Sequence, residues 1–116
     1  MSSRGWIGVD FDGTLAHYDG WRGDFEYGPP VPAMVERVKG WIQAGHLVKI
    51  FTARVSEREG VPEIVDAIQD WLVDAGLPRL EVTNVKDYAM IELWDDRAVQ
   101  VIANTGEPVG QSTRGL

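Results

Sequence analysis

Four carboxylates, one hydroxyl and two cations stand where apolar runs of this chain stop. Trp6-Ile-Gly-Val9 runs into Asp10-Phe-Asp12-Gly-Thr14, and Leu47-Val-Lys-Ile-Phe51 into Thr52-Ala-Arg54. Leu80-Glu-Val-Thr83 leads to Asn84-Val-Lys86, and Ala89-Met-Ile-Glu-Leu-Trp94 to Asp95-Asp96-Arg97. If these runs are parallel strands, their carboxyl ends share one rim, which is where open α/β sheets bind ligands. Gathered there, the set has the chemistry of a hard divalent cation and a phosphate. Asp10, held rigidly at the end of a buried strand, is suited to in-line attack on phosphorus to give an aspartyl-phosphate. Asp12, two positions on, is placed to protonate the leaving oxygen and later to activate water. Asp10 and Asp95, completed by backbone and water oxygens, suit Mg²⁺. Thr52 can hydrogen-bond a phosphoryl oxygen, Lys86 can neutralise the transferring group, and Gly13 lets backbone N–H groups approach it.

These positions need a particular scaffold. Apolar residues Val31, Met34, Val35, Val38, Trp41 and Ile42 follow the helical period, with Pro32 in the first turn and Gly45 past the end. A second helix is predicted from about Pro62 to Ala75, with Ile64, Val65, Ile68, Trp71 and Leu72 on one side and Gly76 as its stop. Its opposite face carries Glu63, Asp66, Asp70 and Asp74, read as a solvated stripe. Val99-Gln-Val-Ile102 reads as a fifth strand. Residues 13–30 break every period with glycines and prolines among Tyr18, Trp21, Phe25 and Tyr27, so they form a loop or glycine-hinged hairpin. The order predicts one doubly wound α/β domain over residues 1–104, with a mostly parallel five-stranded sheet, helices on both faces in three layers, and a polar tail over 105–116.

Composition narrows the function. The 116 residues carry 18 Asp and Glu against 11 Lys and Arg, a net charge of −7, which argues against binding nucleic acid through a broad basic face. The absence of cysteine excludes thiolate metal sites and a cysteine nucleophile, and fits a reducing compartment. The apolar start is too short for a signal segment or a membrane span, so a soluble cytoplasmic protein is expected. Some residues keep two readings. Arg54 either contacts a substrate phosphate or pairs with Glu57; Lys86 either serves the phosphate or pairs with Asp87. Trp21 either packs the loop onto the body or forms a wall for substrate. Trp41 and Trp71 read as helix packing.

The hexapeptide Asp10-Phe-Asp-Gly-Thr-Leu15 resembles the first signature of the haloacid dehalogenase superfamily of phosphotransferases. Thr52, Lys86 and the Asp95-Asp96 pair follow in that superfamily's order, so the resemblance spans roughly residues 6–102. It implies a Rossmann-like fold, Asp10 as nucleophile, Asp12 as acid and base, and Thr52 and Lys86 on the phosphate. Mg²⁺ would be held by Asp10, the Asp12 carbonyl and Asp95, with Asp96 acting behind them. The acid at position 12 is similar to the phosphatase and mutase branches; dehalogenases lack it and transport ATPases carry Thr there. Thr52-Ala-Arg54 and Trp94-Asp-Asp-Arg97 also resemble the capless phosphatase domain of phage polynucleotide kinase-phosphatases, which implies Arg54 as a substrate-phosphate contact. No Gly-Lys-Ser/Thr loop is present, so no kinase activity is expected. Only 39 residues separate Asp12 from Thr52 and 33 separate Thr52 from Lys86, too few for a cap domain in either interval. The expected protein is thus a Mg²⁺-dependent phosphomonoesterase with an open site under a flap formed by residues 13–30. Its substrate is a small phosphate ester or a nucleic-acid 3′-phosphate end. A homodimer whose loop aromatics cover a neighbour's site fits the same reading, and a non-catalytic binding protein on this fold is the alternative from another class.

Overall fold

The computed structural model describes residues 5–56, 59–111 and 115–116. Chain order is β1 (Trp6–Asp10), α1 (Pro32–Gln43), β2 (Leu47–Phe51), a 3₁₀ turn (Ala53–Val55), α2 (Val61–Asp74), β3 (Val82–Thr83) and β4 (Met90–Trp94). The strands form one parallel sheet in the order β3-β2-β1-β4. Helix α1 begins at Pro32, whose missing N–H is no loss in a first turn, and buries Met34, Val35 and Val38. Helix α2 buries Ile64, Ile68 and Leu72. Val38 lies three and four positions after Val35 and Met34, and the α2 residues recur every four, as a single buried helix face requires.

Strand pairing shows where those faces go. Ile7 pairs with Val48 and Val9 with Ile50, so these four side chains share one face of the sheet. All four belong to one core cluster with the buried residues of α1 and α2. The chain steps in the same direction from β1 to β2 and from β2 to β3. Right-handed crossovers therefore place both helices on the same face. The predicted three layers are two among the described residues: residues 84–89, between β3 and β4, form no helix. On the other face Trp6 is nonetheless 1% exposed. Lys49 lies over its ring at 4.7 Å, and its indole N–H donates to Asp87 at 2.8 Å. Asp87 is thus the partner of Trp6, and not of Lys86.

Among the described residues the sheet has four strands and not the expected five. Val99–Ile102 make only an isolated bridge between Val101 and Pro108, and Val99, Val101 and Ile102 stay exposed. The chain folds back on itself there, Ile102 N–H donating to Glu107 O and Val109 N–H to Gln100 O. Without a neighbouring strand, β-branched residues have no pleated surface to pack on, and their propensity is not realised. The first part of the expected tail is thus paired back onto residues 100–102, while residues 112–114 lie outside the described residues. No helix among the described residues is long and apolar enough to cross a membrane.

Candidate functional site

Strand β1 is central, with β2 on one side and β4 on the other. The chain runs outward through β2 to β3 and then returns to β4, so its direction reverses between β1 and β4, the place where such sheets hold ligands. A cleft of about 840 Å³ opens at the carboxyl ends of these strands, lined by Asp10, Asp12, Tyr18, Trp21, Phe51, Thr52, Ala53, Arg54, Ser56, Asp95, Asp96 and Arg97.

Asp10, from β1, and Asp95 and Asp96, just past β4, each present a carboxylate oxygen, and these oxygens lie within 4.8 Å of one another. The Thr14 hydroxyl sits between Asp10 Oδ2 at 3.5 Å and Asp96 Oδ1 at 3.3 Å, and accepts the Asp96 N–H at 3.1 Å. Gly13 has φ +89°, and a Cβ there would come within 2.9 Å of both Asp96 carboxylate oxygens, so the turn after Asp10 is built to admit Asp96. Burial pushes Asp10 up to about 8, helped by a hydrogen bond with Asp96 and by the charges of Asp95, Asp96 and Asp12. None of the three carboxylates has a Lys or Arg ion-pair partner among the described residues. Three converging oxygen donors without a counter-charge fit a hard divalent cation.

Asp12 has the opposite surroundings. Arg54 grips it with both arms, Nε to Oδ2 at 2.6 Å and Nη2 to Oδ1 at 2.9 Å. The other guanidinium hydrogens go to backbone carbonyls of the 13–30 segment: Nη1 to Gly23 O and Asp24 O, and Nη2 to Glu26 O. Arg54 is 4% exposed and lies between the rings of Trp21 and Tyr27, at 4.7 and 4.6 Å. Its five N–H groups all have acceptors within the protein. The substrate-phosphate role expected of Arg54 is therefore not what the geometry shows: the guanidinium is spent on Asp12 and the flap. The alternative partner, Glu57, lies outside the described residues.

Thr52 is buried, donates its backbone N–H to Thr83 O, and caps the 3₁₀ turn by accepting the Arg54 N–H at its hydroxyl. That leaves its own O–H to donate at the cleft. Lys86 is exposed in the segment after β3 and does not line the cleft, and neither does Gly13, which lies against the Asp96 carboxylate; the cleft brings together Asp10, Asp12, Thr52, Arg54, Asp95 and Asp96. Trp21 stacks on Arg54, packing the loop onto the body, and remains 55% exposed at the cleft. The base of the flap is fixed by His17 N–H to Pro29 O and Val31 N–H to Leu15 O. Sequence reasoning missed the bridging role of Thr14, although it stands inside the signature, and the flap carbonyls that hold Arg54, which no side chain announces.

Fold and site together define a parallel α/β protein with a carboxylate-rich cleft at the point where its sheet changes direction. No protein-family model and no curated protein matches the chain. Among solved structures, a conserved protein from Bacteroides thetaiotaomicron is similar, with a TM-score of 0.61 and 26% identity over 84% of this chain and 79% of that one.

Proposed function

We propose that this protein is a metal-dependent phosphomonoesterase of the haloacid dehalogenase type, with a Rossmann-like core and an aspartyl-phosphate intermediate. The observation that carries the reading is the convergence of Asp10, Asp95 and Asp96 within 4.8 Å, in the same cleft as Asp12 and Thr52. Asp10, Asp95 and Asp96 would hold a divalent cation such as Mg²⁺, which supplies positive charge that keeps Asp10 ionised and stabilises charge on the phosphoryl oxygens. Asp10 Oδ attacks phosphorus and the bond from phosphorus to the ester oxygen breaks, while Asp12, entering the cycle in its protonated form, gives its proton to that oxygen and is left as the carboxylate paired with Arg54. In the second half, water attacks the same phosphorus, Asp12 takes its proton, and the acyl-phosphate bond breaks to release phosphate and restore Asp10. The Thr52 hydroxyl donates to a phosphoryl oxygen.

Small phosphate esters are the favoured substrates. The basic residue that pointed to nucleic-acid ends, Arg54, is turned into the protein, and net charge −7 repels a polyanion. Hydrolysis of p-nitrophenyl phosphate should require a divalent cation and fall at least about 10³-fold in Asp10→Asn. Comparable turnover by that variant overturns the reading. A panel of sugar phosphates, nucleoside monophosphates and 3′-phosphorylated oligonucleotides separates the substrate classes, with salt-sensitive preference for the oligonucleotides reversing the assignment.

A further inference from the structure

We infer that Arg54 is a positioning residue that makes the placement of Asp12 depend on the seating of the flap. The kinetic part of this inference rests on the phosphatase reading; the structural coupling does not. A bidentate guanidinium fixes both the plane and the distance of the carboxylate it holds, which a single hydrogen bond cannot do. Arg54 fixes Asp12 in this way through Nε and Nη2. The guanidinium is itself held by three carbonyls, those of Gly23, Asp24 and Glu26, thirty or so positions earlier in the chain. Trp21 and Tyr27, from the same segment, lie against its faces. One rigid planar group therefore carries the proposed acid on one edge and the flap on the other. Displacing the flap removes acceptors from Nη1 and Nη2, and Nη2 is also one of the two atoms that grip Asp12. Tyr18 and Trp21 line the same cleft as Asp10, so an ester that reaches across it would touch the flap and the reacting carboxylates together. Flap seating and proton delivery become one event.

The role can be read from the leaving group. An acid in place matters most when the departing oxygen is a poor leaving group and least when it is a good one. Arg54→Ala should lower kcat at least about tenfold more for an alkyl phosphate than for 2,4-dinitrophenyl phosphate, with KM changed less than about threefold for both. Arg54→Lys, a single point charge without the fork, should fall between Ala and wild type. Gly23→Ala changes no atom of Arg54 or Asp12. Gly23 has φ +122° and open space around it, so an added Cβ strains the carbonyl that Nη1 uses without filling the cleft. It should show the same selective loss in weaker form. Equal loss on both esters, a gain in rate, or a rise in KM alone would overturn the inference; the last would return Arg54 to a substrate-phosphate role. The coupling is also tested without turnover. In Asp12→Ala, amide hydrogen exchange across residues 20–28 should quicken relative to wild type, while α1 amides keep their protection. Unchanged exchange in the flap overturns the coupling, whereas coupled exchange in a wild-type protein that hydrolyses no ester overturns the phosphatase reading alone.

Discussion

Asp10 and Asp12 stand two positions apart at the end of one strand, and their neighbours treat them oppositely. Asp12 has a guanidinium in its grasp, whereas Asp10 faces other carboxylates from a partly desolvated strand end. Asp10 is raised from 3.8 to about 8, so the folded protein keeps a proton that the unfolded chain loses. The stability this contributes is complete below the unfolded value and is lost as pH rises through the folded one. In the presence of a chelator, the urea midpoint should therefore contain a component that falls between about pH 4 and pH 8. Asp10→Asn should flatten that component, and so should a saturating divalent cation, because the cation selects the anion. A midpoint whose pH dependence is the same in Asp10→Asn as in wild type contradicts the account. Asp12→Ala acts differently, since it leaves a buried guanidinium without its counter-charge. It should cost about 3 kcal/mol in urea denaturation, the lower end for a broken buried pair because Asp12 keeps some contact with solvent. The trio of Asp10, Asp95 and Asp96 was legible in the sequence, because each is a polar stop after an apolar run. The grip on Asp12 was not. An arginine after a strand reads equally well as a phosphate ligand, and its partners lie far away in the chain.

The flap is held from outside the site as well as from within. Trp71, on α2, meets Phe11 edge-on at 4.8 Å between centroids and donates its indole N–H to Gly28 O at 3.0 Å. Helical spacing predicted the packing of Trp71, but a backbone acceptor in an irregular segment leaves no trace in periodicity. Trp71→Phe keeps an aromatic ring against Phe11 and loses the hydrogen bond, so it should cost about 1 kcal/mol. The loss should be concentrated in faster amide exchange of residues 17–28, with little change in β1. Other elements follow the same division. Strands β1 and β2 and helices α1 and α2 fall within about a residue of their expected limits, because burial on one face writes a period into the sequence. Val99–Ile102 carry an equally clear apolar run, yet among the described residues no strand of the sheet pairs with them, and a strand is defined by its neighbour. The acidic face of α2 is also more than a solvated stripe: Arg79 reaches both Asp66 and Asp70. The helix-free second face of the sheet has its cause in chain length. The interval from Thr83 to Met90 is too short to contain a crossover helix.

In the whole molecule, β4 joins the sheet through β1 alone, in a register that shifts between Trp6 and Ile7. The three uncompensated carboxylates straddle that seam, Asp10 on one side and Asp95 and Asp96 on the other. A cation bound there contacts both sides, and binding to the folded state alone raises stability by about 2.7 kcal/mol at one hundred times Kd. Mg²⁺ should therefore raise Tm in a concentration-dependent way, and Asp95→Asn combined with Asp96→Asn should abolish the shift while leaving a folded protein. A Tm indifferent to divalent cations in wild type would separate this cluster from metal binding. The seam also sets a time scale. Amides of residues 91–94 can exchange whenever the edge strand lifts from β1, an excursion that electrostatic repulsion favours in chelator once the pH is high enough for Asp10 to lose its proton. With a cation across the seam, the strand cannot lift until the ion leaves, so the residence time of the ion becomes the lifetime of the closed edge.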